Sequence, residues 1–338
     1  MTRYSASVWL LLLAWLISPL ASAIEAPGDD GFPIRIAPQL SVEKIDEISD
    51  KDGTCIAEIG IGLEWKDRRL MFNAVTEGRD SHEYLNEAAL SQLTKIWKPN
   101  VTVLNQAENP RTLSTTLVVR ADGSVRSFER LVVKVRIDWE LNDYPFDRQT
   151  ILWRLGSTTY GREEVVLRSG TITLAPKLVI KNWGIERTVQ SALERPGITG
   201  RPIAALDEGI VIKRQSYVAV TQIFLPYLAI MFMPLISLLN VSSSTPTQLF
   251  TALLALLTLN FKIVLEQPAI ISVSNSVVDA MWMGYCYIGI TLLLALTIMR
   301  APGERMLSDP VMELRSYTKW GPPLIYLVLL GGRVLAAV

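Results

Sequence analysis

The residues whose types and spacing most directly suggest chemistry lie in one apolar segment, residues 246–265. Threonine and large apolar side chains recur there at intervals of four, three, four, three and four residues. An α-helix places residues at this spacing on one face. The positions on that face are Thr247, Thr251, Leu254, Thr258, Phe261 and Leu265. Hydroxyls spaced along an apolar helix can face water and partly dehydrated ions, so this face is a candidate wall for an ion path.

The threonines have a purely structural alternative. A threonine hydroxyl in an apolar helix often bonds back to the helix's own backbone, and the side chain then only packs against a neighbouring helix. If the face does line an ion path, its apolar members have a separate role, because a narrow apolar constriction stops ions by expelling water. We expect Leu254 and Phe261 to form that closed gate.

The hydropathy pattern predicts four membrane-spanning helices after about 200 residues of mixed polarity. Each segment is close to the roughly 20 residues that cross a bilayer as a helix. The predicted spans are residues 216–240, 246–265, 277–299 and 321–338. The mature chain is therefore expected to contain an outer domain, residues 24–214, and a membrane domain, residues 215–338.

Residues 1–23 have the pattern of a secretory signal peptide. Arg3 supplies the charged start, residues 8–17 form a short apolar run, and Ala21-Ser22-Ala23 fits a cleavage site. An uncleaved anchor is the alternative. Lysine and arginine are present between the third and fourth spans and absent between the second and third. We therefore expect a multi-pass protein of the cell (inner) membrane, with its N-terminal domain and C-terminus on the extracellular or periplasmic side.

Composition argues against several functional classes. Lysine plus arginine and aspartate plus glutamate number 33 each, so no net charge would attract nucleic acid. The two cysteines, Cys55 and Cys286, fall in different layers and are not expected to pair. The one histidine, His82, has no second ligand at a metal-binding spacing, and no nucleophile-elbow or phosphate-loop motif is present. We expect no enzymatic activity, no metal and no cofactor.

The outer domain has the pattern of short β-strands separated by turns. Strand-like runs fall at residues 54–65, 112–120, 127–139, 150–155, 171–180, 183–193 and 209–217. Residues 121–124, Ala-Asp-Gly-Ser, predict a hairpin turn between two of them. Only residues 82–97 show some helical periodicity. The whole pattern predicts an extracellular antiparallel β-sandwich followed by a four-helix transmembrane bundle.

Three motifs, in order along the chain, resemble pentameric ligand-gated ion channels. Residues 144–149 read Tyr-Pro-Phe-Asp-Arg-Gln and are similar to that family's signature loop. They follow Trp-Lys-Asp-Arg-Arg-Leu at residues 65–70 and a Trp-Lys-Pro-Asn motif that begins at Trp97. No cysteines flank the loop, and the last two spans are joined by only about 20 residues, both of which resemble the prokaryotic branch. The resemblance implies a ring-shaped homopentamer in membrane lipid, with the second span lining a pore.

The resemblance also implies which residues link the two domains. The signature loop is expected on the membrane domain, beside the arginine that precedes the first span and an acidic turn near the start of the chain. The expected coupling residues are Asp147, Pro145, Phe146, Arg214, Asp50, Asp52 and Pro268. A partly buried carboxylate–guanidinium pair at such a junction is costly to break, because the partner is left stranded. Ordinary surface salt bridges are the alternative.

Agonists of this family bind between subunits, often in an aromatic cage for an ammonium group. Such a cage is poorly represented here, because residues 195–207 contain no aromatic side chain and Gly60 stands where a ring is expected. The candidate ligand-binding residues are Glu108, Arg126, Thr158 and Tyr160. They favour a polar small molecule. The proton is the other candidate agonist, although the spans contain no histidine to sense it.

The sequence carries neither of this family's usual signatures of ion selectivity. Residues 242–246, Ser-Ser-Ser-Thr-Pro, have neither the acidic ring of many cation-selective relatives nor the Pro-Ala-Arg of anion-selective ones. Lys262 and Glu266, four residues apart at the outer end, are expected to pair. Analogy with the prokaryotic branch favours inorganic cations as the permeant species. The alternatives are an anion-selective channel, a non-conducting membrane-anchored ligand sensor and a small transporter, the last usually marked by mid-span charges. Arg333, in the fourth span, has no assigned role.

Overall fold

The computed structural model describes residues 25–27, 31–197, 200–217, 220–239, 242–266, 275–300, 321, 323–329 and 331–332. The predicted signal peptide, Pro268 and Arg333 lie outside these residues. The side chain of Glu266 is also outside the description, so the predicted pairing with Lys262 stays a prediction.

Twelve strands form the described part of the outer domain. In chain order they are β1 Ile34–Ile36, β2 Gln39–Ser49, β3 Thr54–Lys66, β4 Ser81–Leu85, β5 Val101–Val103, β6 Arg111–Arg120, β7 Ser124–Arg136, β8 Arg148–Ser157, β9 Val165–Leu167, β10 Thr171–Leu174, β11 Trp183–Pro196 and β12 Pro202–Arg214. A six-stranded sheet has the order β10-β2-β3-β7-β6-β4, and a four-stranded sheet has the order β11-β12-β8-β5. The β1–β9 pair completes the strand pairing.

Alternating side chains of the two large sheets form one hydrophobic core. Ile59 and Val133 of the six-stranded sheet and Trp153, Leu155 and Ile210 of the four-stranded sheet are all completely buried. Sheets that pack face to face in this way form a β-sandwich. The predicted sandwich is therefore confirmed.

The sequence predicted a wholly antiparallel sandwich, and the structure departs from this prediction at two strand pairs. β1 pairs with β9, and β10 pairs with β2, in parallel. The predicted strand at residues 171–180 ends at Leu174 instead, since Pro176 follows two residues later and cannot donate to a strand ladder. These short strands lie at the edges of the sandwich, while the long central pairs are antiparallel as expected.

The helical prediction for residues 82–97 is wrong over its first part. Ser81–Leu85 forms β4, which pairs with β6, so tertiary pairing overrides the weak helical periodicity. Asn86 then turns the chain at a φ of 48°, and the helix α2 spans only Glu87–Leu93. The predicted hairpin turn is present, and Gly123 occupies it at a φ of 81°.

Among the described residues, three helices are long and apolar enough to cross a membrane. A π-helical turn at Val220–Phe224 leads into α3, Leu225–Leu239. The helix α4 spans Thr245–Glu266, and α5 spans Ser276–Arg300. A one-turn helix, α1, occupies Ala74–Glu77 in the outer domain. Of the predicted fourth span, residues 323–329 are helical and the remainder lies largely outside the described residues.

The membrane helices pack around a cluster of tyrosines. The Tyr326 hydroxyl donates to the Tyr227 hydroxyl over 2.7 Å, and the Tyr227 hydroxyl donates to the backbone carbonyl of Ala280. The Tyr287 ring stacks on Tyr326 with centroids 4.8 Å apart. A buried hydroxyl is stable in an apolar bundle only when it is hydrogen-bonded, so this chain of bonds fixes residues 323–329 against α3 and α5.

Candidate functional site

Arg214 lies where the β-sandwich meets the membrane helices and binds two carboxylates. It is the last residue of β12, and helical residues begin a few positions later. Its Nε donates to Asp147 Oδ1 over 2.7 Å and its Nη2 to Asp147 Oδ2 over 3.2 Å. Its Nη1 donates to Asp50 Oδ2 over 2.8 Å. The structure therefore brings three predicted coupling residues, from three separate parts of the chain, into one ionic cluster.

This cluster is largely removed from water. The side chains of Arg214 and Asp147 are 9% and 1% exposed, and that of Asp50 is 18% exposed. Burial by itself lowers the pKa of Arg214, but hydrogen bonds and charge from Asp147 and Asp50 raise it above its ordinary value. The guanidinium therefore stays charged, and removal of one partner would leave a buried charge unpaired, at a cost of about 3–5 kcal/mol.

Backbone and side-chain bonds hold the signature loop in place around Asp147. The Arg214 N–H donates to the Asp147 carbonyl over 3.1 Å, and Gln149 Nε2 donates to Asp147 Oδ2 over 2.7 Å. The Ser216 hydroxyl donates to the Pro145 carbonyl over 2.9 Å. The loop is thus bonded both to the end of β12 and to Ser216, which precedes the first membrane helix.

Two aromatic side chains enclose the guanidinium, and the sequence analysis did not identify this. The Arg214 guanidinium carbon lies 4.2 Å from the Trp183 ring centroid and 5.0 Å from that of Tyr144. Both distances are within the range of cation–π attraction. Trp183 begins β11 directly opposite Arg214 in the β11–β12 ladder, so cross-strand register is the signal that could have predicted the contact. Trp139 in turn packs on Trp183 at 5.8 Å.

Asp52 and Phe146, two further predicted coupling residues, form local hydrogen bonds instead. The Ser49 hydroxyl donates to Asp52 Oδ2 over 2.9 Å, and the Asp52 N–H donates back to the Ser49 hydroxyl over 3.1 Å. Asp52 therefore stabilises the turn that presents Asp50. Phe146 donates its N–H to the Asp143 carbonyl over 2.8 Å, which tightens the signature loop.

A cavity of about 530 Å³ opens beside this cluster. Its walls come from the end of β2 and the turn around Asp50, from residues 180–183, from the π-helical turn before α3 and from the end of α4 nearest the sandwich. Leu259, Lys262 and Ile263 of α4 line it. Arg214 and the end of α4 nearest the sandwich therefore line the same cavity.

All six predicted positions on the α4 face are exposed in the single chain. Leu254, Phe261 and Leu265 are 48%, 58% and 73% exposed. The opposite face packs into the helical bundle, and its buried residues are Leu249, Ala252, Leu256, Leu259 and Ile263. The helix thus presents its mixed threonine and apolar face away from the other described helices.

The threonine side chains agree with both interpretations of the sequence, since they bond to their own helix and are also exposed. Thr251 Oγ1 donates to the Thr247 carbonyl over 2.9 Å, and Thr258 Oγ1 donates to the Leu254 carbonyl over 2.8 Å. Each hydroxyl therefore bonds back to its own helix, as the structural alternative predicted. Both side chains are nevertheless exposed, and the hydroxyl oxygen keeps lone pairs that can accept from water or bind a cation.

The four candidate ligand-binding residues do not form one cluster within the chain. Glu108 accepts from Lys134 Nζ over 2.8 Å, whereas Arg126 donates to Gln39 over 2.7 Å. Lys134 and Arg126 are eight residues apart on β7, about 26 Å along a strand. Within a single chain, Glu108 and Arg126 therefore lie in different parts of the outer domain.

The other two candidates lie next to each other on a short loop. Thr158 lines a cavity of about 400 Å³ together with Lys98, Asn100 and Glu129. The Tyr160 ring packs on Trp97 with centroids 5.5 Å apart. The Arg195–Asp207 segment forms less loop than expected, because β12 already begins at Pro202.

His82 and the cysteines have local explanations. His82 Nε2 lies 2.8 Å from Glu77 Oε2, and its ring packs edge-on against Phe72. Cys55 is buried, Cys286 is exposed, and both are free thiols. Within the described ranges, no group of three His, Cys, Asp or Glu side chains is placed to hold a metal ion.

Comparison with known proteins identifies the class. The sequence model of the neurotransmitter-gated ion-channel ligand binding domain matches residues 12–188. This chain therefore belongs to the Cys-loop superfamily of pentameric ligand-gated ion channels, in its prokaryotic branch, as the three motifs had indicated.

Two groups of relatives are similar to parts of the chain. The proton-gated ion channel of Gloeobacter violaceus is 27% identical over 206 residues, which cover 59% of this chain and 55% of that protein. The neuronal acetylcholine receptor subunit beta-4 of Bos taurus is 27% identical over 118 residues, 34% of this chain and 23% of that subunit. The alpha-10 subunit of Rattus norvegicus is 22% identical over 136 residues, 40% of this chain and 29% of that subunit. The chain thus spans about half the length of the bacterial relative in this match.

Proposed function

We propose that the chain forms a homopentameric ligand-gated ion channel of the inner membrane, selective for cations. The observation that carries this proposal is the ionic cluster of Arg214, Asp147 and Asp50. It joins a family ligand-binding domain to apolar helices, one of which carries an exposed threonine face. No covalent chemistry is required for this function.

Assembly into a pentamer gives the α4 face its role. Five copies around one axis turn each exposed residue into a ring, with hydroxyl rings at Thr247, Thr251 and Thr258. The rings of Leu254 and Phe261 are apolar and form the closed gate, because a narrow apolar ring expels water. The opposite face of the helix is the one buried in the bundle, through apolar residues such as Leu249, Leu256 and Ile263, so outside a pore the hydroxyl face would meet lipid.

The ionic cluster transmits the stimulus. A change in the sandwich that shifts β12 moves Arg214, and with it the signature loop and the first membrane helix. Binding outside the membrane then needs to favour the open state by only a few kcal/mol, summed over five subunits, to shift the population. Pro145 takes part in the same linkage through the hydrogen bond that its carbonyl accepts from Ser216. Phe146 and Pro268 are the other proposed coupling residues.

The proposed stimulus is a proton or a small polar molecule. The Gloeobacter violaceus relative is named as proton-gated. Glu108, Arg126, Thr158 and Tyr160 are the proposed ligand residues, reached from the interface between neighbouring subunits. A simple amine is disfavoured because Tyr160 is the one aromatic side chain among them.

The test is a current–voltage recording of the Leu254→Ala variant in oocytes, with external NaCl diluted by sorbitol. Shrinking the apolar gate favours spontaneous opening, which removes the need for a known agonist. A current absent from uninjected cells, with a reversal potential that moves to more negative voltage on dilution, supports a cation channel. A positive shift makes the protein an anion channel. No current from pentamers at the surface contradicts channel function and leaves a non-conducting sensor.

A further inference from the structure

Glu208 is a buried carboxyl that the coupling cluster does not use. It lies in β12 on the same side as Leu206 and Ile210, which belong to the hydrophobic core, and its exposed fraction is 0%. In the four-stranded sheet it faces Trp153 of β8 and Gln190 of β11. A carboxyl in the core face of a strand is rare unless its charge is paired or absent.

The polar partners of Glu208 satisfy only one of its oxygens. Gln190 Nε2 donates to Oε1 over 3.3 Å, and the backbone N–H of Gly170 also donates to the carboxyl. Oε2 is buried and has no hydrogen-bond partner among the described residues. An ionised carboxylate would therefore carry an uncompensated buried charge, whereas a neutral acid places its proton on Oε2 and keeps both bonds to the carboxyl.

Among the described residues, no cation lies close enough to compensate that charge. Glu208 is packed by β8 through Trp153, by β11 through Gln190 and by the segment between β9 and β10 through Gly170. No charged side chain of the described chain influences its pKa, which is raised to about 7 because burial outweighs the opposing effect of the hydrogen bonds from Gly170 and Gln190. Arg154 Nε donates to Asp207 Oδ2 over 3.2 Å, and both side chains face the other side of the sheet.

These contacts fasten the β11–β12 hairpin to a neighbouring segment. Gln190 Nε2 also donates to the Gly170 carbonyl over 3.1 Å, so Gln190 bridges Gly170 and Glu208. Gly170 is packed so closely on Pro38 that a Cβ there would lie 1.6 Å from the Pro38 carbonyl oxygen. The Thr171 N–H also donates to the Pro38 carbonyl over 3.2 Å, so this segment is held beside β2 and we expect the hairpin to be the part that shifts when a buried charge is relieved.

We propose that Glu208 is a proton-operated latch: in its neutral form it seats the β11–β12 hairpin against Gly170, and its ionisation releases the hairpin. β12 continues without interruption from Glu208 to Arg214, about 20 Å along the strand. A released hairpin therefore shifts the guanidinium that joins the domains. This inference rests on the proposed function only for its effect on gating, since the movement of the hairpin is a property of the sandwich.

The sign of the pH dependence follows from the raised pKa. Below pH 4.5, the ordinary value, the carboxyl is neutral whether the hairpin is seated or released, so pH has no effect. Between that value and about 7 the seated form binds more protons, and seating weakens as the pH rises. Above this range Glu208 is ionised whether the hairpin is seated or released, and the seating equilibrium no longer changes with pH. The full change in the seating equilibrium is roughly 300-fold.

The primary test is hydrogen exchange, measured by mass spectrometry on the purified full-length protein at pH 5, 6, 7 and 8 and corrected for intrinsic rates. We expect peptides of β11 and β12 to lose protection as the pH rises towards neutrality, while β3 and β7 do not. Glu208→Gln, which is isosteric and always neutral, keeps the hairpin protected at pH 8. Identical pH dependence in the parent and in Glu208→Gln would overturn the proposal.

Two further variants separate the latch from a general loss of structure. Gln190→Met removes a donor that lowers the pKa of Glu208, so the midpoint should move to higher pH; an unchanged midpoint contradicts the latch. Glu194→Gln changes an exposed acid of the same hairpin, paired with Arg162, and should behave like the parent. His82→Gln should also leave the hairpin's pH dependence unchanged.

The effect on gating is tested separately in the Leu254→Ala background. We expect spontaneous current to vary with external pH between 5 and 8, and this variation to disappear when Glu208→Gln is added. A pH-dependent hairpin in a protein without current would contradict the proposed function and leave the latch intact. A current whose pH dependence survives Glu208→Gln would contradict the latch and leave the channel intact.

Discussion

Arg214 binds Asp147 through two separate hydrogen bonds, of 2.7 and 3.2 Å, at the point where the last strand of the sandwich gives way to the membrane helices. A planar guanidinium that meets a carboxylate in this way fixes orientation as well as distance. The pair therefore links the position of β12 to that of the signature loop.

Loss of Arg214 should uncouple the two domains. Arg214→Ala leaves Asp147, which is 1% exposed, without its counter-charge, and we expect loss of gating or of assembly. Arg214→Lys keeps the charge but a single ammonium cannot reproduce the fork, so it should be impaired to a smaller extent. The measurement is surface pentamer and current in the Leu254→Ala background.

A neighbouring ion pair provides the control for this prediction. Arg148→Ala removes an exposed bond to Glu186, and exposed pairs contribute at most about 1 kcal/mol. It should assemble and gate like the parent. Normal currents from Arg214→Ala would show that the cluster is an ordinary salt bridge.

Trp183 should matter through the face of its ring. Because the guanidinium of Arg214 lies 4.2 Å from that face, Trp183→Phe retains part of the cation–π attraction and Trp183→Leu retains none. A desolvated cation–π contact is worth about 2 kcal/mol, so Trp183→Leu should shift the gating equilibrium by up to roughly 30-fold, the limit reached when only one gating state makes the contact. Equal shifts for Phe and Leu would indicate that packing alone is responsible.

The hydroxyl of Thr251 should contribute to ion passage. Thr251→Val keeps the shape of the side chain and removes the hydroxyl, whereas Thr251→Ser keeps the hydroxyl. We expect single-channel conductance to fall in the valine variant and to be largely retained in the serine variant. The same conductance in both would support the structural alternative, in which the hydroxyl serves only its own helix.

The hydrogen bond between Tyr326 and Tyr227 should stabilise the helical bundle. Tyr326→Phe retains the stacking on Tyr287 and loses a 2.7 Å bond, at a cost of about 1 kcal/mol. The measurement is the thermal unfolding midpoint of the detergent-solubilised protein, which we expect to fall. Tyr285→Phe is the matched control, because the Tyr285 hydroxyl has no partner in the described part of the chain. An equal fall in the control would show that the bond contributes nothing specific.

The sequence predicted those parts of the molecule that have local signatures. The spacing of residues in the second apolar segment predicted the α4 face. The motifs predicted that Asp147 and Arg214 lie close together. Both predictions rest on residue spacing or on a contiguous pattern, which the sequence shows directly. The contact between Trp183 and Arg214 was not predicted, because it exists only after β11 and β12 pair.

Two other features depended on tertiary context. Residues 81–85 form a strand only because β6 offers an edge to pair with. Glu208 stands among alternating residues of a strand, where an acid usually faces water, and only the packed sandwich shows that this one faces the core.

The central claim is that the α4 face lines a conducting path, and cysteine accessibility tests it most directly. In a Leu254→Ala, Cys286→Ala background, Thr258→Cys and Leu257→Cys are exposed in turn to a charged thiol reagent. Leu257 lies on the same helix and is 41% exposed, but outside the proposed face. We predict irreversible block of the current at Thr258→Cys and little change at Leu257→Cys. Block at Leu257→Cys alone, or an unmodified current at both positions, would contradict the assignment of the pore.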